Sequence, residues 1–134
     1  MDLETLCQRP AGLRPHIAEL AAKLQPYRPE LVCAPLVEGA FIGLLVAAEL
    51  GCEFTYALRS APAESAGLFS VRYRLPPALE PAVRGRSVAI VNDVISAGSA
   101  VRGTYQDLQT HGAEVVAVAS LVVLGEEFSR FATE

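Results

Sequence analysis

Val115–Leu124 is apolar at every position but Ser120. A run that long without polar alternation fits a β-strand covered on both faces. Ser87–Val91 holds a second, shorter run of the same kind, and Ala100–His111 between them reads as a helix with Gly112 beyond it. Strand, helix and strand in that order predict a parallel pair joined by a right-handed crossover.

The rest of the chain extends the alternation. Leu13, Ile17, Leu20, Ala21 and Leu24 recur at helical spacing, with Pro15 suited to the first turn and Pro26 ending the run. Leu31–Ala34 reads as a short buried strand, Pro35–Gly39 as a loop, and Ala40–Leu50 as a helix closed by Gly51. That helix is apolar on nearly all sides, so it is expected to be buried. Glu53–Leu58 follows as a strand rich in aromatic and β-branched residues. Ser60–Arg86 is long and irregular, but Phe69–Leu75 inside it alternates apolar and polar like one arm of a hairpin. Asn92–Ser99 is expected as a loop and Glu126–Glu134 as the start of another helix. The predicted fold is a single α/β domain over residues 1–134, a parallel sheet with helices on both faces. Its binding edge lies at the carboxyl ends of the strands.

Composition narrows the function. The net charge is −4, which argues against nonspecific nucleic-acid binding and leaves any phosphate site to loop amides and a few arginines. Cys7, Cys33 and Cys52 form no CxxC or Cys/His cluster, so no metal site of that kind is expected and free thiols in a reducing cytosol are. No apolar run approaches the roughly 20 residues that span a bilayer. A soluble, cytoplasmic protein with no membrane partner is expected. No Ser/His/Asp or Cys/His nucleophile set is visible, and His111 suits a helix end, where it complements the dipole.

One segment carries chemistry. Val88-Ala89-Ile90-Val91-Asn92-Asp93-Val94-Ile95-Ser96-Ala97-Gly98-Ser99-Ala100 delivers a carboxylate to the sheet edge and then runs through small residues into a helix N-terminus. Backbone N–H groups, the helix dipole and the Ser96 and Ser99 hydroxyls favour phosphate there, and Asp93 can accept hydrogen bonds from ribose hydroxyls. A plain βα turn with a serine cap has the same outline.

The segment Val88–Thr104 resembles the phosphoribosyl-pyrophosphate motif of type I phosphoribosyltransferases. Its loop Ser96-Ala97-Gly98-Ser99-Ala100-Val101-Arg102 is most similar to that of bacterial orotate phosphoribosyltransferases. Upstream, Ala34–Ala40 resembles the family's pyrophosphate loop, and roughly Leu31–Leu124 fits the family pattern. The resemblance implies a substrate site made of Asn92, Asp93, Ser96, Ala97, Gly98, Ser99 and Ala100 with Leu36, Val37, Glu38 and Gly39. It implies transfer of a phosphoribosyl group from phosphoribosyl pyrophosphate to a nucleobase, orotate first. It also implies Mg²⁺ carried by the substrate and a homodimer.

The sequence departs from the pattern in four ways. Asn92 stands for the first acid, and Glu38 for a small residue. Lys23 is the sole lysine and lies far from any motif, so Arg59 at the end of the second strand and Arg72 and Arg74 in the long segment are expected to join Asp93 in catalysis, clamping pyrophosphate in place of a loop lysine. With about 30 residues before the first strand, the base-recognising hood is expected to be reduced or absent. These departures keep two other readings open: a binding module that senses phosphoribosyl pyrophosphate without catalysis, and a subunit whose site needs a second chain, met through the first helix or the Phe69–Leu75 arm.

Overall fold

The computed structural model describes residues 8–37, 39–60, 72–95 and 99–123. Five strands form one sheet: β1 (Leu31–Leu36), β2 (Glu53–Ser60), β3 (Arg72–Arg74), β4 (Ser87–Ile95) and β5 (Glu114–Val123). The helices are α1 (Arg14–Leu24), α2 (Ala40–Leu50), the single turn α3 (Glu80–Val83) and α4 (Ser99–Thr110).

The spatial order is β3-β2-β1-β4-β5. β1 pairs in parallel with β2 and β4, and β4 in parallel with β5, while β3 lies antiparallel on the outer side of β2. The expected parallel sheet therefore gains one antiparallel edge. The strand-like alternation predicted for Phe69–Leu75 appears in its described part, because Tyr73 and Leu75 are buried and Arg74 between them is exposed. Phe69–Val71 and Glu126–Glu134 lie outside the described residues.

Two cores follow from strand alternation. Val32, Ala89 and Val91 face α1 and α2 and pack with Leu13, Ile17, Leu20, Leu24, Ile42 and Val46. Leu31, Cys33, Val88 and Ile90 face the other way and meet Val101 and Leu108 of α4, with Leu75 and Val83. Successive residues of a strand point to opposite faces, so a continuously apolar strand such as β4 serves both layers.

Several boundaries and faces differ from the sequence reading. β1 and β2 each run two residues further than expected because they pair up to Leu36↔Leu58 and β2 continues against β3. β4 runs on to Ile95, since Asn92, Val94 and Ile95 still pair with Ser120, Val122 and Val123. Asn92 and Asp93 thus sit on a strand rather than in a loop. The apolar stripe of α1 is buried in the first core and is not an interface. α2 is buried only on one side: Ile42, Val46 and Ala47 face inward, while Phe41 and Leu44 are 56% and 54% exposed.

One ion-pair cluster lies at the amino ends of the strands. Arg86 pairs with Glu53 and Glu30, and its guanidinium holds the Glu53 carboxyl below the usual carboxylate range, chiefly through their hydrogen bond. Cys33, in mid-sheet, is fully buried, and burial first and the Asp107 carboxylate second push its thiol well above the ordinary range. Cys52 is half-buried, and its thiol donates to the Pro29 carbonyl at 3.1 Å. Alkylation at pH 8 followed by peptide mass mapping is therefore expected to modify Cys52 in the native protein and to reach Cys33 only at the rate of unfolding. Rapid native labelling of Cys33 would contradict this packing.

Candidate active site

The two chemistry-bearing loops leave neighbouring strands that wind in opposite directions. From β1 the chain crosses through α2 to β2 on one side; from β4 it crosses through α4 to β5 on the other. In an open α/β sheet, ligands bind at such a reversal, outside the carboxyl ends of the strands. The β1–β4 ladder pairs only Leu31↔Val88, Val32↔Ala89 and Cys33↔Ile90, so beyond Cys33 the two strands no longer pair at this reversal.

Gly39 joins the two loops. A Cβ on it would lie 2.5 Å from the Val91 carbonyl oxygen, 2.8 Å from the Asn92 Cα and 2.9 Å from the Asn92 Oδ1. Only a residue without a side chain lets the β1 loop seat itself on β4 this closely. The loop is tied internally as well: the Gly39 N–H donates to the Pro35 carbonyl at 2.8 Å and the Ala40 N–H to the Val37 carbonyl at 3.3 Å. The Leu36–Val37 peptide is cis, and Val37 projects into solvent at 60% exposure.

Asn92 is 3% exposed, and its Oδ1 accepts the Asp93 N–H at 2.9 Å. An ionised carboxylate buried there would carry a heavy desolvation penalty. The amide keeps the acceptor without the charge, which gives the replacement of the first acid a physical rationale. Asp93 is half-buried at the sheet edge. Ala100 follows in the first turn of α4, where its carbonyl accepts the Thr104 hydroxyl at 2.8 Å. Leu36, Val37, Gly39, Asn92, Asp93 and Ala100 are thus placed on one edge. Ser99 begins α4, while Glu38, Ser96, Ala97 and Gly98 lie outside the described residues.

The family model for the phosphoribosyl transferase domain matches residues 6–128. The chain belongs to that family. Among relatives of the phosphoribosyltransferase chain, an adenine phosphoribosyltransferase of Nitrosospira multiformis is 29% identical over 129 residues, covering 92% of this chain and 74% of that one. An adenine phosphoribosyltransferase of Clostridium botulinum (strain Eklund 17B / Type B) is 29% identical over 132 residues, with 92% and 75% covered. The fold of adenine phosphoribosyltransferase from Thermoanaerobacter pseudethanolicus superposes with a TM-score of 0.77 at 22% identity, over 91% of this chain and 74% of that one. Orotate phosphoribosyltransferase from Aeropyrum pernix superposes with a TM-score of 0.72 at 18% identity, over 98% and 73%. The phosphoribosyltransferase fold is therefore shared with proteins named for a purine and with one named for a pyrimidine.

The three arginines lie on β2 and β3, on the far side of β1 from Asp93. Arg59 is the last residue but one of β2, paired with Tyr73, and is exposed. Strands lie about 4.8 Å apart, so two strand spacings, roughly 10 Å, separate β2 from β4, and β3 lies one spacing further out. Arg74 pairs with Leu58 on β3, and the Arg72 backbone pairs with Ser60. Arg59 and Arg74 line a cleft of about 790 Å³ between β3 and α4, with Gln106, Asp107 and His111 from α4 and its end and Glu80 from α3. Among the described residues no group of three or more His, Cys, Asp or Glu side chains is placed to hold a metal ion. Mg²⁺ keeps several waters and binds through one or two carboxylates plus substrate phosphates. Asp93 meets that modest demand.

The sequence reading did not find the contacts of α4 with the β3 segment. His111, read as a dipole partner at a helix end, lies 3.2 Å from a Glu80 carboxylate oxygen. The available signal was the spacing of Gly103, Asp107 and His111, which puts all three on one helical stripe.

The Gly39 contact generates a prediction. Gly39→Ala is expected to push the β1 loop off β4 and weaken binding of phosphoribosyl pyrophosphate by at least about tenfold, equivalent to 1.4 kcal/mol. The fold itself, held by the two cores, is expected to persist. Isothermal titration beside a circular-dichroism melt checks both, and unchanged affinity would mean that this contact does not shape the site.

Proposed function

We propose that this chain transfers the phosphoribosyl group of phosphoribosyl pyrophosphate to a nucleobase, with adenine the favoured base. The seating of Gly39 on Val91 and Asn92 carries the reading, because it sets a pyrophosphate-type loop against the strand that presents Asp93. Family membership supports the transfer, and the names of the curated relatives support adenine. Orotate is the second reading, favoured by the likeness of Ser96–Arg102 to the loop of orotate enzymes.

In this mechanism the backbone amides at the start of α4 hold the 5′-phosphate, where the helix dipole favours an anion. The Asp93 carboxylate accepts hydrogen bonds from the ribose hydroxyls and opposes the positive charge that develops on the ribosyl carbon. The loop after β1 orients the pyrophosphate. The bond from the anomeric carbon to pyrophosphate breaks, pyrophosphate leaves with the electron pair, and a ring nitrogen of the base forms the new bond while its N–H proton passes to the departing pyrophosphate. Arg59, one strand beyond β1, and Arg74 with Arg72, on the edge strand, supply cations toward the departing pyrophosphate. Asp93 would help hold a substrate-borne Mg²⁺, which when bound would neutralise part of the phosphate charge.

The functional unit in this proposal is a homodimer formed through α2. Phe41, Leu44 and Leu45 are exposed on a helix that starts at the site loop. Leu58, exposed as well, lies on the same sheet face as Phe54, which meets Gly43 of α2. Contiguous apolar surface of this kind marks an interface, and a second copy presents the same face about a two-fold axis.

Incubation with phosphoribosyl pyrophosphate, Mg²⁺ and adenine or orotate in parallel is expected to yield the adenine nucleotide, read by chromatography. Asp93→Ala is expected to lower turnover by roughly ten- to a hundredfold, as the loss of a charge-assisted contact worth about 1.5–3 kcal/mol implies. Tight binding with no nucleotide from either base would favour the sensor reading, and product from orotate alone would reverse the base assignment. Sedimentation is expected to show a dimer that Phe41→Glu with Leu44→Lys dissociates; an unchanged sedimentation coefficient in that variant would remove α2 as the interface.

A further inference from the structure

One stripe of α4 reads the β3 segment in order. Gly103 meets Tyr73, where a Cβ would lie 3.1 Å from the ring and 3.3 Å from the Tyr73 nitrogen. One turn on, Asp107 Oδ2 accepts the Leu75 N–H at 2.7 Å. Another turn on, His111 Nδ1 lies 2.8 Å from the Asp107 carbonyl oxygen and Nε2 lies 3.2 Å from Glu80 Oε1. The i, i+4, i+8 spacing places the three contacts above one another on the helix. The same helix begins at the phosphate loop.

We infer that Asp107 is a positioning residue for Arg74, an inference that rests on the transferase reading above. β3 has three residues and, among the described residues, pairs with β2 alone. So short an edge strand is a weak mount for a side chain that must meet pyrophosphate. Leu75 follows Arg74 directly, so the carboxylate that takes the Leu75 N–H holds the strand at the residue next to the arginine. Asp107 is itself held: its side chain is 13% exposed, and His111 Nδ1 lies 3.5 Å from the same oxygen that accepts Leu75. His111 in turn spans from Asp107 to Glu80, so the far end of the segment that leaves β3 is anchored to the same helix. The role needs an acceptor oxygen at this point and not a charge, since an amide oxygen accepts the same N–H.

The test uses Asp107→Ala, Asp107→Asn, Arg74→Ala and the Asp107→Ala/Arg74→Ala pair in the full chain. In Asp107→Ala, hydrogen exchange at Arg74 and Leu75 is expected to accelerate at least about tenfold, with the amides of β1 and β4 unchanged. Turnover is expected to fall by roughly ten- to a hundredfold, the scale that misplacement by about an ångström produces. Asp107→Asn is expected to stay within about twofold of wild type, and the double variant to be no worse than Arg74→Ala alone. Additive losses in the double variant, an asparagine variant as impaired as alanine, or exchange accelerated equally across the sheet would overturn the inference. If wild type forms no nucleotide, the transferase reading fails on its own. Calorimetric affinity for phosphoribosyl pyrophosphate then replaces turnover in the same cycle, and the exchange data stand as measured.

Discussion

The contact of Gly39 with the backbone of Val91 and Asn92 is the constraint on which the site depends. β1 and β4 stop pairing after Cys33↔Ile90, so main-chain hydrogen bonds no longer set their distance at the edge where a ligand enters. Side-chain-free packing takes over that task. It also accounts for the buried neutral Asn92: a neighbour pressed against two backbone units and nearly closed to water is a poor place for a negative charge. Among the described residues of these two segments the carboxylate at the edge is Asp93, on the next residue and half-exposed.

The charge distribution follows the same logic. A chain with a net charge of −4 has no general attraction for a phosphorylated sugar. In the proposed function its attraction is local, built from helix-terminal amides and a few arginines. Arg86 is occupied by Glu53 and Glu30 at the opposite end of the sheet, whereas Arg59 and Arg74 stand exposed at the cleft beside β3. Structure and solubility draw on one set of charges, and the site draws on another.

α4 links the two halves of the arrangement. Its first turn follows the phosphate loop, its apolar side closes the second core through Val101 and Leu108, and the stripe Gly103–Asp107–His111 holds the β3 segment. A rigid helix that touches both the phosphate end and the edge strand keeps their separation constant.

Much of this was legible in the linear order of residues. The apolar run of β4 and the helix after it called for a buried parallel strand, and β4 is covered on both faces; β5, read the same way from its longer apolar run, is instead an edge strand among the described residues, with residues 115–120 only half-buried. The segment from Val88 to Thr104 marked the phosphate end through its strand, acid, small-residue loop and helix, all local features. Local chemistry could not say which apolar surfaces meet each other. α2, apolar nearly all round, turned out half-exposed, and the first helix, offered as an interface, turned out to be core. Nor could it place the arginines, since strand order is a matter of long-range pairing: Arg59 lies two strands from Asp93 in the sheet, and Arg72 and Arg74 three. The sequence by itself determined the fold class and the segment proposed to hold a sugar phosphate, because those depend on periodicity and residue type. Only the tertiary structure decided that Gly39 rests on Asn92, that Arg59 and Arg74 share a cleft with α4, and that Asp107 holds Leu75, because each is a contact between segments that pack together through the sheet and not along the chain.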